Sequence, residues 1–431
     1  MAGIADEVSS PTTSSPLRSF TSMSPTALGS PCAPWLRELN SDERGLFLIH
    51  LLLNCANHVA AGDLYQANAL LEPISFLSSG DGDTVQRIAS YFSTALARRL
   101  LRSWPGVYRA LDPSLAGAGA DGAGGAYARR LFLDLCPFLR LSFLISNQAI
   151  MESMEGEKVI HLVDLGGSDP THWLSLLQAL AGRPEGPPHL RITAVSEQSD
   201  LLAQTASLLS NEAERLDIPF QFNAIVSPLD VLDVESLRVK TGEALAVVSA
   251  LHLHTLLACG VPLDKDSRTE SPSPAKMERL LSSIWGLSPK IFLVTEQESN
   301  HNGLTLNERF MEALNFYSTL FDCLESTAPR HSPDRARVEK MFGEEIKNII
   351  SCEGPERKER HERLERWTRR LEMAGFRRRP MTYYGMLQAR RMLLAFGCDG
   401  CRVKEENGCL LLCWQDRALY SVSAWRCRRY D

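Results

Sequence analysis

Residues 159–167 read Val-Ile-His-Leu-Val-Asp-Leu-Gly-Gly, and this stretch decides the fold class. Its first five residues form a short, nearly continuous apolar run, which is the pattern of a strand covered on both faces. The glycine pair then leads into a helical pattern around Trp173–Leu180. The stretch therefore predicts a buried strand, a tight turn and a helix, as in α/β folds.

Four further apolar runs follow, and helical stretches of ten or more residues separate most of them. The runs are Arg191–Val195, Phe220–Val226, Leu245–Leu251 and Ile291–Val294. Strand–helix alternation implies right-handed crossovers and a mainly parallel sheet. Asn407-Gly408 lies between two strand-like runs and supplies the positive φ angles of a two-residue turn, so we expect an antiparallel hairpin to finish the sheet.

The chain ahead of the α/β part divides into a polar tail and a helical region. Residues 1–34 are rich in Ser, Thr and Pro and poor in large apolar groups, so we expect this tail to be disordered. Three amphipathic patterns follow, and Asp63 and Asp83 each precede one of them in capping-box position. This arrangement predicts a helical subdomain.

Charge and cysteine usage narrow the class of protein. The 431 residues carry a formal net charge of −6, whereas a protein that grips DNA unaided usually shows a basic domain or stripe. The 11 cysteines follow no framework spacing, and we find no secretory signal or membrane span. We therefore expect reduced thiols in the cytosol or nucleus.

Asp164, Gly166 and Glu197 are the candidate cofactor residues. In open parallel sheets a glycine after the first strand lets backbone approach a ligand, and a carboxylate after the second binds ribose hydroxyls. The loop continues as Ser-Asp-Pro at residues 168–170, however, and lacks the third glycine of G-x-G-x-x-G. We interpret the glycines as a tight turn beside a vestigial crevice without a cofactor. A ligand-binding or methyltransferase-like sensor that uses this crevice is the alternative.

Two sets of metal-ligand residue types occur, and neither predicts a metal site. His252 and His254 alternate along an apolar run, so on a strand they face the same way, but no Asp, Glu or Cys nearby completes a site. Cys398-x-x-Cys401 is followed by cysteines at 409 and 413, as in a zinc ribbon. On a strand, four steps separate those last two thiols by roughly 13 Å, whereas two zinc ligands lie within roughly 4 Å of each other.

No catalytic residues are assigned, because G-x-S-x-G, the P-loop and H-E-x-x-H are all absent. The C-terminal third is locally basic, which leaves direct, sequence-specific DNA binding as a further alternative. Its arginines are Arg366, Arg369, Arg370, Arg377, Arg378, Arg379, Arg390 and Arg391. Glutamates interleave with the first of them at helical spacing, which is typical of a solvated face with ion pairs. We therefore expect any DNA contact to be mainly indirect.

The C-terminal motifs resemble those of the plant GRAS regulators. Arg360-His361-Glu362 precedes a helix with Trp367, Ala374-Gly375-Phe376 ends that helix, and Trp414 and Trp425 follow. The resemblance covers about residues 43–426, although the Arg-Glu pair of one family block reads Glu-Glu at residues 344–345 and its proline is missing. It points to these motif residues: His161, Asp164, His254, Arg309, Glu312, Tyr317, Arg360, His361, Trp367, Gly375, Trp414 and Trp425.

The resemblance implies a Rossmann-like, methyltransferase-like sheet flanked by helices, with an N-terminal helical cap. It places a GRAS domain at residues 35–431, with the cap at about 40–150, the α/β core at about 151–431, and part of the 300–350 region joining the cap. Within the family, the chain is most similar to the Scarecrow-like protein 3 subgroup.

The resemblance also implies a function. It predicts a nuclear transcriptional co-regulator, not an enzyme, that acts in plant development and gibberellin-type hormone signalling. The implied partners are INDETERMINATE-type zinc-finger factors, DELLA proteins and other GRAS chains, with a homo- or heterodimer among the assemblies.

Overall fold

The computed structural model describes residues 39–111, 122–167, 169–258 and 276–427. The tail predicted to be disordered, residues 1–34, lies outside these ranges. The chain divides into two compact units, Met1–Ser93 and Thr94–Asp431. The predicted boundary between cap and core near residue 150 stays a prediction.

Helices occupy the described residues that precede the first strand. They are α1 (Ser41–Ala61), α2 (Leu64–Leu77), α3 (Thr84–Leu101), α4 (Pro105–Leu111), α5 (Gly122–Leu135) and α6 (Phe138–Ser153). The predicted cap of α2 is confirmed, since the Asp63 carboxylate accepts from the backbone N–H of Gln66 at 3.1 Å. Asp83 and Gln86 form the reciprocal bonds of a capping box ahead of α3. Among the described helices, none has the length and apolarity needed to cross a bilayer.

The described residues form one nine-stranded sheet with a parallel half and an antiparallel half. Its parallel half consists of β1 (Val159–Leu165), β2 (His189–Ser196), β3 (Phe220–Val226), β4 (Ala244–Ala250) and β5 (Ile291–Gln297). Between these strands lie α7 (Pro170–Ala181), α8 (Ser199–Arg215) and α9 (Lys276–Gly286). The order 3-2-1-4-5 with connecting helices is that of a Rossmann-like sheet, so the predicted fold class is confirmed.

The antiparallel half extends beyond the predicted hairpin. Its strands are β6 (Phe376–Arg379), β7 (Cys401–Glu406), β8 (Cys409–Trp414) and β9 (Arg417–Cys427). The hairpin between β7 and β8 is confirmed, and its turn residues Asn407 and Gly408 have φ of 51° and 79°. The long strand β9 pairs with β5, β6 and β8, so it joins the two halves of the sheet.

Helices and apolar layers cover both faces of the parallel half. The remaining helices are α10 (Leu306–Thr327), α11 (Pro333–Ser351), α12 (Leu364–Met373) and α13 (Tyr383–Phe396). One layer contains Ile160, Leu162 and Trp173. The opposite layer contains Val163 and Trp425, so alternate residues of β1 enter different layers. This burial on both faces explains the continuous apolar run that predicted the strand.

Candidate functional site

The carboxyl edge of the parallel strands is the place where open α/β sheets bind ligands. Two groups of the predicted residues lie there. Asp164, Gly166 and Glu197 belong to the ends of β1 and β2. His252 and His254 follow β4, beside the end of β5.

The predicted crevice after β1 is closed by the chain itself. Gly166 has φ 152°, and a Cβ atom at this position would lie 2.0 Å from Cδ2 of His252. Burial lowers the pKa of His252 to about 3, so the imidazole that covers the glycine is neutral. Asp164 is 1% exposed and accepts a hydrogen bond from Nε1 of Trp173 at 2.9 Å. Only Glu197 is exposed among the three predicted cofactor residues.

The expectation that His252 and His254 share one strand face is wrong. β4 ends at Ala250, and Leu251 takes φ 61°. The backbone N–H of Leu251 donates to the carbonyl of Thr295, and the chain then enters a short 3₁₀ helix that carries His254. The left-handed residue breaks the strand, so the two histidines contact different groups.

Carboxylates from distant parts of the chain surround His254, which corrects the expectation that none is close. Its Nδ1 lies 2.8 Å from Oε2 of Glu296, and its Nε2 lies 3.1 Å from Oε2 of Glu359. Carboxylates only accept, so both ring nitrogens donate and the ring is an imidazolium. Burial alone would lower the pKa of His254, but the two carboxylates raise it to about 10. We call His254 and the side chains near it the histidine–carboxylate cluster. It consists of His254, Glu296, His301, Glu359 and His361.

A chain of hydrogen bonds fixes the tautomers of the other two histidines. The Ser299 hydroxyl donates to Oε1 of Glu312 at 3.1 Å, so its oxygen accepts from Nε2–H of His301 at 2.9 Å. Burial lowers the pKa of both His301 and His361, so both rings are neutral. Nδ1 of His301 therefore accepts from Nδ1–H of His361 at 2.9 Å. Nε2 of His361 keeps a bare lone pair with no hydrogen-bond partner, 3.3 Å from Oε2 of Glu359.

Glu345 and Tyr317 extend the polar interior beside this cluster. The Tyr317 hydroxyl donates to Oε2 of Glu345 at 2.7 Å. Burial and the negative charge of Glu359 raise the pKa of Glu345 to about 7. The Glu-Glu pair at residues 344–345 departs from the family pattern only at its first residue, so the half-buried carboxylate of Glu345 is kept.

The other polar motif residues hold backbone and neighbouring side chains in place. His161 is fully buried, with Nε2 2.8 Å from Oγ1 of Thr193 and Nδ1 accepting from Arg191 at 3.0 Å. Arg309, 1% exposed, donates to the carbonyls of Gly303, Leu304 and Ile349. Arg360 donates to two further carbonyls, at Gly354 and Arg357. Arg309 and Arg360 thus donate to backbone carbonyls that lack a partner in a regular helix or sheet, so these two arginines stabilise the fold.

The aromatic motif residues are core residues. Trp367 and Trp425 are at most 1% exposed, and Nε1 of Trp425 donates to Oγ of Ser423 at 2.9 Å. Trp414 is 4% exposed and donates to the Asp322 carboxylate at 2.6 Å. Gly375 has φ 99°, and a Cβ atom there would lie 2.9 Å from Nε1 of Trp285. These residues pack the antiparallel strands against the rest of the sheet.

Among the described residues, the four cysteines whose spacing resembles a zinc ribbon do not form one metal-ligand group. Cys409 and Cys413 lie on β8, as predicted, and pack with Leu364 and Leu411. Cys401 instead approaches Cys398, with 3.3 Å between the two sulfur atoms. A hydrogen bond from Cys323 is the largest influence on Cys398 and lowers its pKa to about 6.

Three of the C-terminal arginines form ion pairs with the interleaved glutamates, as predicted. On α12, Arg369 lies 2.6 Å from Glu365, and both Arg366 and Arg370 contact Glu362. These guanidinium groups are therefore partly neutralised before any phosphate approaches.

Comparison with known proteins identifies the family. Residues 48–426 match the GRAS domain family. Scarecrow-like protein 3 of Arabidopsis thaliana is 52% identical, with 98% of each chain covered, so the predicted resemblance to that subgroup is confirmed. DELLA protein GAI1 of Vitis vinifera is 37% identical over 90% of this chain and 63% of its own. The crystal structure of SCL7 in Oryza sativa superposes with a TM-score of 0.75 at 32% identity, covering 88% of this chain and 99% of the other. The chain belongs to the GRAS family of transcriptional regulators and not to a family of enzymes.

Proposed function

We propose that this chain is a nuclear co-regulator of transcription in plant development and gibberellin-type hormone signalling, and that it acts through protein partners. The observation that carries the proposal is the 52% identity with Scarecrow-like protein 3 over nearly the whole of both chains. Similarity to a DELLA protein supports the gibberellin connection. The partners we propose are INDETERMINATE-type zinc-finger factors, DELLA proteins and other GRAS chains, with DNA contacted mainly through them.

Helix α13 supports a role in protein interaction. Tyr383 and Leu394 are 70% and 83% exposed, and they lie on the same helix face as the exposed Arg390, at positions i, i+11 and i+7. Tyr384 beside them is also half exposed. Aromatic residues and arginine dominate the residues that carry binding energy at protein interfaces. We propose this face of α13 as a partner-binding surface.

Binding measurements with an immobilised INDETERMINATE-type zinc-finger protein test this surface. The double variant Tyr383→Ala, Leu394→Ala should bind about tenfold more weakly or worse, because truncated hot-spot residues typically cost ~2 kcal/mol or more. Its thermal midpoint should stay close to that of the unaltered chain, since both side chains are exposed. Met373→Ala is the matched control, because Met373 is 88% exposed on a different helix. Equal affinity of the double variant and the control would exclude α13 as the surface.

A mobility-shift assay at physiological salt tests the indirect contact with DNA. The chain alone should bind weakly and lose binding steeply as salt rises, because the arginines of α12 are paired with glutamates and counterion release dominates contacts with phosphate. Adding the zinc-finger partner should produce a sequence-selective ternary complex. Strong selection of one sequence over scrambled DNA by the isolated chain would favour direct DNA binding instead.

A further inference from the structure

An unpartnered ring nitrogen lies beside a carboxylate oxygen inside the histidine–carboxylate cluster. Nε2 of His361 lies 3.3 Å from Oε2 of Glu359. His361 is fully buried, and its Nε2 has no hydrogen-bond partner. A buried ring nitrogen without a partner requires an explanation, and a cation held between this nitrogen and the carboxylate oxygen would supply one.

The positions of the surrounding atoms suit a metal ion. Nε2 of His254, a carboxylate oxygen of Glu359 and Nε2 of His361 all lie within 4.8 Å of one another. The two distances from Oε2 of Glu359 to these nitrogens are 3.1 Å and 3.3 Å. In tetrahedral zinc sites, bonds of about 2.1 Å place neighbouring ligand atoms about 3.4 Å apart.

The second nitrogen of each imidazole already has the partner that metal-bound histidines require. Nδ1–H of His254 donates to Glu296, and Nδ1–H of His361 donates to His301. Such outer hydrogen bonds fix the tautomer in which Nε2 is the metal ligand. Glu359 keeps 24% of its side chain exposed, so solvent reaches one of the three residues.

We propose that His254, Glu359 and His361 bind one divalent transition-metal ion, with zinc as the ion best suited to two imidazole nitrogens and one carboxylate oxygen. Binding breaks the Nε2–H bond of His254, and the proton leaves to solvent as the nitrogen lone pair coordinates the metal. Before binding, the imidazolium and the carboxylates of Glu296 and Glu359 sum to a charge of −1. After binding, the metal and the same carboxylates sum to zero, which removes a net charge from the interior.

A proton on Nε2 of His361 would also make the contact with Oε2 of Glu359 favourable. Metal analysis distinguishes this protonated state from a bound metal ion. The purified full chain, dialysed against metal-free buffer, should retain about one equivalent of zinc by elemental analysis, with water as the fourth ligand beside the three side chains. A strong chelator should lower its thermal midpoint, and added zinc should restore it. Replacement of zinc by Co²⁺ should give the visible absorption bands of a tetrahedral site.

Two variants locate the ion. His361→Ala should lose the zinc, whereas Cys398→Ser should retain it, because the close thiols of Cys398 and Cys401 are a different place where zinc could bind. The cobalt spectrum should also lack the near-ultraviolet band that sulfur ligands produce. If His361→Ala does not fold, the cobalt spectrum and the chelator response of the unaltered chain still show whether a metal is bound and whether sulfur atoms bind it. A metal-free chain with no cobalt bands and no response to zinc would overturn the proposal, as would a spectrum with sulfur ligation that Cys398→Ser abolishes.

Discussion

The ends of β1 and β2 and the ends of β4 and β5 lie on the same edge of the sheet and use polar residues differently. At the first, His252 covers Gly166, Trp173 donates a hydrogen bond to Asp164, and Glu197 is exposed. At the second, ionisable side chains from distant segments contact one another in the interior. At the ends of β1 and β2 the chain's own side chains cover the edge of the sheet, whereas at the ends of β4 and β5 ionisable groups converge on one another.

The largest expected effect lies at the β4–β5 end. Glu296→Gln keeps the side-chain shape and removes one of the two charges that face His254. Breaking a buried ion pair from one side typically costs 3–5 kcal/mol. Glu359 still faces His254 in this variant, so we expect the free energy of unfolding to fall by about 3 kcal/mol, the lower end of that range. Urea denaturation measures it. A loss below about 1 kcal/mol would mean that the cluster does not stabilise the fold.

At the β1 end, Gly166→Ala should cost about 1–3 kcal/mol, because its Cβ atom would overlap the His252 ring. The double variant Gly166→Ala, His252→Ala should be more stable than the sum of the single effects predicts, since the second change removes the overlapping ring. Additive effects in this cycle would show that His252 does not close the crevice.

His172 lies outside the cluster and, unlike His254, has no ionic partner in the part of the chain that the structure describes. His172 is stacked between Phe143 and Trp173, its ring nitrogens lack hydrogen bonds, and burial lowers its pKa to about 3. A depressed histidine pKa contributes stability above about pH 6.5 that is lost as pH falls toward 3. His172→Phe removes that dependence, so between pH 7 and pH 5 the variant should lose about 2 kcal/mol less than the unaltered chain. Identical pH profiles would contradict the neutral, unpartnered state.

The smallest effect is expected at Glu197. Its side chain is exposed, so Glu197→Ala should change the free energy of unfolding by at most about 0.5 kcal/mol. The same denaturation experiment measures it. A loss above about 1 kcal/mol would mean that Glu197 has a structural role that resembles that of Glu296.

Short sequence patterns predicted the strands, helix caps and turns that depend only on residues adjacent in the chain. The apolar run at β1, the caps at Asp63 and Asp83, and the turn at Asn407 each rest on a few adjacent positions. For the same reason, the order of strand–helix patterns was sufficient to predict the Rossmann-like core.

The cluster could not be predicted in this way, because His254 is 42 residues from Glu296 and 105 residues from Glu359. No local spacing connects them. The end of β4 was also missed, since leucine gives no sequence signal for the positive φ at Leu251. Family motifs named His254 and His361, but only the folded chain shows that they approach the same carboxylate.

The most direct test of this account is calorimetric titration of the purified chain with S-adenosylmethionine, the ligand that a methyltransferase-type crevice would bind. His252 lies against Gly166, and Asp164 accepts a hydrogen bond from Trp173. We therefore predict no saturable heat of binding at micromolar ligand. Saturable heat that Glu197→Ala abolishes would contradict the account and would show that the edge after β1 and β2 is a working ligand site.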